Sequence, residues 1–149
     1  MTTTQLAAWV MLTFGGLYSG AILIYAVDRV HVWRRMPVDL YVVDFRRSLY
    51  RADPLIPLLG VLSALGAVVF ALNSGGRAAH LAWIGIALIV LIMIASITLA
   101  EPMNSKFRRL PEGQAPDRVE QLRITWCRFH RARTVVALGA LACLVAASV

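Results

Sequence analysis

Glu101, Asn104, Trp126, His130 and Arg133 set a carboxylate, an amide, an indole, an imidazole and a guanidinium against two long apolar runs of the chain. Such groups are costly at membrane depth, so they turn inward to a partner or a water-filled cavity and mark sites where protons, ions or ligands are handled. Trp126, His130 and Arg133 follow one another at helical i, i+4 and i+3 spacing, which lines them up on one helix face. Glu101 is the expected ion-pair partner of Arg133. Pro102 cannot continue a helical hydrogen-bond ladder, so Met103 and Asn104 are expected on a kinked or unwound helix end. Taken singly, these residues have plainer roles: Trp126 as an interfacial anchor, Arg131 and Arg133 as phosphate contacts, Glu101 and Asn104 as helix caps. Taken as a set that can converge, they point to a functional cluster.

The elements that must position this cluster follow from hydropathy. The chain is 59% hydrophobic with a mean hydropathy of +0.69, above the roughly 45–50% apolar content of soluble domains. Four runs are candidate membrane spans, residues 6–27, 55–72, 81–100 and 131–149, against a need for about 20 helical residues to cross the hydrocarbon. The apolar run of the last, 134–149, is short alone and reaches that length if its helix continues back into Arg123–Arg133, where neither Gly nor Pro intervenes. Counting along the third and fourth spans brings Glu101, Asn104 and His130 to one depth, and His31, just past the first run, joins that layer. The first run lacks the basic leader and cleavage site of a secretory signal and reads as a retained helix. The fold class expected is all-α: a four-helix transmembrane bundle in a single domain, residues 1–149.

The two long connections, 28–53 and 101–130, carry most of the basic residues, with six Arg between Asp28 and Asp53 and eight Lys or Arg between Glu101 and Arg133. Basic loops stay on the cytoplasmic side, so the expected location is the cytoplasmic (inner) membrane with both termini outside. The net charge of +7 then serves topology and contact with anionic lipid head groups, not nucleic acid. Within the first connection Val38, Tyr41, Phe45 and Leu49 recur at helical spacing, predicting an interfacial amphipathic helix that Asp53-Pro54 ends. Tyr50 and Arg51 lie at its exit, at head-group depth. Gly16 and Gly20 form a GxxxG pair and Gly60 and Ala64 a similar one, which predicts close helix packing within the chain or between copies in a homo-oligomer.

Four spans, Pro102 and Asn104 after the third, the pattern Trp126-x-x-x-His130-x-x-Arg133, the lead-in Arg109-Leu110-Pro111 and the segment Tyr50-Arg51-Ala52 together resemble the DUF1772 or anthrone oxygenase-like membrane protein family. The resemblance covers essentially the whole chain. It implies oxidation of a flat, hydrophobic anthrone to a quinone by molecular oxygen, with no organic cofactor. Under that reading His130 is the base that removes a proton from the anthrone CH2. Asn104 and Arg133 hold the enolate oxygen, Glu101 orients the imidazole, and Trp126 stacks on the ring, with Tyr50 and Arg51 as further substrate contacts. Two alternatives stand beside it. One is a non-catalytic small-molecule-binding or accessory-subunit protein, since no nucleophile elbow, phosphate loop or metal motif is present. The other is a metal- or haem-dependent oxidoreductase, with iron held by His31, His130 and Glu101 or haem held by His130.

Overall fold

A computed structural model describes residues 1–149. It is all-helical, with no strands, and four helices are long and apolar enough to cross a membrane. The elements in order are α1 (Thr3–Ile24), α2 (Val30–Arg35), α3 (Val38–Ala52), α4 (Leu55–Leu72), α5 (Gly76–Ala95), α6 (Glu101–Arg108) and α7 (Val119–Ser148). Two π-helical turns, Tyr25–Arg29 and Ser96–Ala100, join α1 to α2 and α5 to α6 without breaking the rod. Both rods thereby run well past their apolar runs. Thr3 to Arg35 and Gly76 to Arg108 each form a continuous stretch of 33 residues.

α1, α4, α5 and α7 form a ring in which α1 packs on α4 and α7, and α5 on α4 and α7. Near the α4–α5 turn the core is built of small residues and a few larger ones, among them Ala67, Ala71, Ala82, Ala140 and Leu144. Lipid supplies no hydrophobic force between helices, so close approach and interhelical hydrogen bonds must do that work. A Cβ on Gly66 would stand 2.7 Å from the Met11 backbone nitrogen, and one on Gly85 would stand 2.6 Å from Leu144 Cδ2. Two hydroxyls tie the ring together: Ser63 Oγ donates to the Met11 carbonyl at 2.9 Å and Ser19 Oγ to the Ala137 carbonyl at 3.1 Å. The close approaches do not fall on the expected GxxxG pair. A Cβ added to Gly16 or Gly20 would meet nothing within 4 Å, whereas Gly15, Gly60, Gly66 and Gly85 are crowded. Spacing alone does not say which side of a helix meets its neighbour.

At the opposite, polar end the helices are joined by an aromatic collar. The amphipathic helix expected from residue 38 is α3, and its stripe of Tyr41, Phe45 and Leu49 is buried against Trp33 of α2, Phe107 of α6 and Trp126 of α7. Ring centroids lie 4.7 Å apart for Phe45–Phe107, 5.1 Å for Phe45–Trp126 and 5.2 Å for Trp33–Phe45, all edge-on. Arg123 of α7 donates to the carbonyls of Trp33 and Met36 at 3.1 and 2.6 Å, capping α2 and pinning it to α7.

Pro102 does not unwind the chain as its type suggests. It sits in the first turn of α6, directly after the wide π turn, and helix continues through Met103 and Asn104 to Arg108. A π turn loosens the ladder where a proline ring would crowd the carbonyl of the preceding turn. Asp53 and Pro54 likewise keep helical dihedrals, so α3 and α4 meet in a slight break and not a sharp stop.

Candidate functional site

Between the aromatic collar and the small-residue seam lies a cavity of about 490 Å³, bounded by α1, the α3–α4 junction, the α5–α6 π turn and α7. Its polar wall is Tyr18, Asp53, Glu101, Asn104, Arg108 and Arg133, and its apolar wall includes Ile56, Pro57, Met93 and Ile97. That volume lies within the roughly 300–1,000 Å³ of small-molecule sites.

Arg133 is the focus of the polar wall. Its guanidinium has no carboxylate within 4.0 Å, and its Nε is buried with no hydrogen-bond partner. Its one bond runs from Nη2 to His130 Nδ1 at 3.0 Å. Because a guanidinium can only donate, His130 Nδ1 must accept, which fixes the tautomer with the proton on Nε2. Nε2–H then donates to the Ile22 carbonyl at 3.0 Å. His130 is fully buried, lies flat on Trp126 with centroids 4.9 Å apart and planes 12° apart, and forms no part of the cavity wall. It holds Arg133 from behind.

Asn104 links collar and cavity. Its Oδ1 accepts from Trp126 Nε1 at 3.1 Å, and its Nδ2 donates to Asp53 Oδ2 at 3.4 Å. Arg108 crosses the polar rim, bonding Asp53 at 3.2 Å and pairing also with Glu101. Glu101 is therefore the partner of Arg108 and Ser105, not of Arg133. The reason is geometric: Glu101 and Arg108 lie seven residues apart on one helix, two turns along the same face.

The residues singled out from sequence thus part into groups. Glu101, Asn104, Arg133 and Tyr50 line the cavity, whereas Trp126 and His130 support it from behind. Arg51 is exposed and lines no part of it. His31 is exposed and bonded to Arg35, and nowhere do three His, Cys, Asp or Glu side chains gather as a metal-ligand set. Sequence reasoning missed Asp53, Tyr18 and Arg108. Asp53 reads in sequence only as a helix stop before proline. Tyr18 carries a signal in Gly60, whose missing side chain makes room for the phenol ring at 3.0 Å.

A family model described as anthrone oxygenase matches residues 45–143, from the second half of α3 through most of α7. No curated protein and no solved structure matches the chain.

Proposed function

The chain belongs to the anthrone oxygenase family and its helices are those of an integral membrane protein; from that premise we propose that its cavity binds a flat anthrone-type ketone and oxidises it with molecular oxygen. The observation that carries this reading is Arg133, a half-buried cation at a cavity wall whose Nε is enclosed without a partner and which meets no carboxylate. A cation held partly out of water without a counter-ion is unfavourable, and an anionic ligand in the cavity offsets that cost. An enolate oxygen is such an anion, and it forms only as the substrate is deprotonated, so Arg133 favours the reacting state over the ground state.

Asp53 takes the proton in this reading: it lines the cavity, and Asn104 and Arg108 bond its Oδ2 and leave Oδ1 free, whereas both nitrogens of His130 are bonded. Asp53 removes one proton from the substrate CH2. The resulting enolate gives one electron to O2, and the carbon radical and superoxide combine to a peroxide anion that takes up that proton. Loss of the second C–H proton together with hydroxide breaks the O–O bond and leaves the quinone and one water. No bound cofactor is needed, since the carbanion itself reduces oxygen. His130 and Asn104 are positioning residues, for Arg133 and Asp53 respectively. By the distribution of basic connections, this site faces the cytoplasmic edge of the inner membrane.

Oxygen uptake by protein in liposomes supplied with anthrone tests the reading, measured above the uncatalysed rate. Asp53→Asn is expected to lower kcat by about 10²–10⁴-fold, the worth of a positioned base. Should His130→Gln abolish turnover while Asp53→Asn spares it, the base is His130. Quinone binding with no uptake above background would establish the non-catalytic binding protein instead.

A further inference from the structure

The two walls of the cavity face different surroundings. Its polar rim is crossed by Arg108, which pairs with Glu101 on α6 and with Asp53 at the α3–α4 junction. Its other opening lies between the first turn of α4 and the Ser96–Ala100 turn, where the lining is Ile56, Pro57, Met93 and Ile97. Ile97 is 69% exposed and Pro57 is exposed, on two helices apolar enough to span a membrane. In a bilayer that exposure is to lipid.

The same two segments are where the regular α-helical ladder is interrupted. Pro54 and Pro57 have no N–H to give to the preceding turn, so the first turn of α4 lacks rungs of its ladder. Across the gap, the π turn of Ser96–Ala100 is the one wide stretch of the α5–α6 rod. Two segments with interrupted ladders thus line one aliphatic side of the cavity and form the jambs of the gap.

We propose that the ligand enters sideways from the bilayer, through this gap between α4 and the α5–α6 turn, and not across the polar rim. The ligand class follows: a flat, lipid-soluble weak acid that is uncharged while it crosses the aliphatic jambs and ionises only on reaching Asp53 and Arg133. A permanently charged analogue is excluded at the gap. The proposal rests on the reading of the cavity as an anthrone-type site, but it concerns access and is tested by binding alone.

Two probes of one ring system separate the routes: 1,8-dihydroxyanthraquinone, which partitions into lipid, and anthraquinone-2-sulfonate, which stays in water. Their association with protein in phosphatidylcholine liposomes is followed by the visible absorbance of the quinone. Ile97→Trp plugs the gap and is expected to slow association of the neutral quinone at least about tenfold. Leu99→Trp, on an exposed position of the same turn that lines no part of the cavity, leaves it unchanged. Thermal unfolding confirms that each variant is folded, and Ile97→Cys blocked by a bulky thiol reagent after folding repeats the plug independently. Unimpeded entry in both plugged forms, or sulfonate binding to wild type as fast as the neutral quinone, overturns lateral entry. Binding without anthrone oxidation overturns the proposed reaction and leaves the route standing, whereas no binding of the neutral quinone to wild type overturns both.

Discussion

The seam near the α4–α5 turn and the collar at the polar end solve the same problem by opposite means. In the seam, Ala67, Ala71, Ala82 and Ala140 with Gly66 and Gly85 bring backbones together until little side chain is left between them. In the collar, Trp33, Tyr41, Phe45, Phe107 and Trp126 fill wide spaces with rings. The difference teaches where the cavity comes from. Small residues close the bundle at one end, aromatic bulk from α2, α3, α6 and α7 fills the other, and the cavity lies where neither reaches. The side between α4 and the Ser96–Ala100 turn is left open.

That contrast makes claims of different size. Trp33→Ala removes a fully buried ring at the centre of the collar, along with a 2.7 Å bond to Asp44. It is expected to cost about 3–5 kcal/mol in reversible unfolding in detergent. A loss below about 1 kcal/mol would mean that the collar is loosely packed. Arg133→Met lies on the polar wall of the cavity and is expected to divide stability from function. Its kcat/KM for an anthrone falls by about 10²–10³-fold, as for loss of an oxyanion donor, while the melting temperature holds or rises because a half-buried cation without a counter-ion is gone. A marked fall in melting temperature would instead make Arg133 a structural residue.

In the seam the changes run the other way, from adding atoms. Gly66→Ala drives a methyl group into the Met11 backbone and is expected to cost about 1–3 kcal/mol, although alanine is the better helix former. A gain in stability would show that α1 and α4 can move apart freely. Smallest is Ser63→Ala, which deletes the bond to the Met11 carbonyl for a loss of about 0.6 kcal/mol, read from the unfolding midpoint.

Much of the fold is legible in the sequence because hydropathy and period are local properties. The four spans, the amphipathic α3 and the facing of Trp126, His130 and Arg133 all follow from counting along one helix at a time. Partners across helices are not legible in this way. Charge and depth match Glu101 to Arg133, but Arg108 is two turns away on its own helix and needs no packing to reach it. Asp53 is hidden by a backbone role, since a residue before proline reads as punctuation, and only the third dimension brings its carboxylate to Asn104 and Arg108. The two π turns leave no mark in the pattern of residue types that counting at 3.6 per turn can register.

Those turns bear on how such a protein changes over generations. A π turn holds one residue more than the regular helix needs and absorbs it locally, so the residues beyond keep the facing they would have on a regular rod one residue shorter. Deleting a single residue from Ser96–Ala100 would regularise the rod and keep Asn104 near Trp126 and Arg108 near Asp53, whereas deleting one from the regular turns of α5 would swing both off their partners by about 100°. The polar end of this bundle is thus tuned by length as much as by composition, and the two π turns are the places where a change of one codon is absorbed.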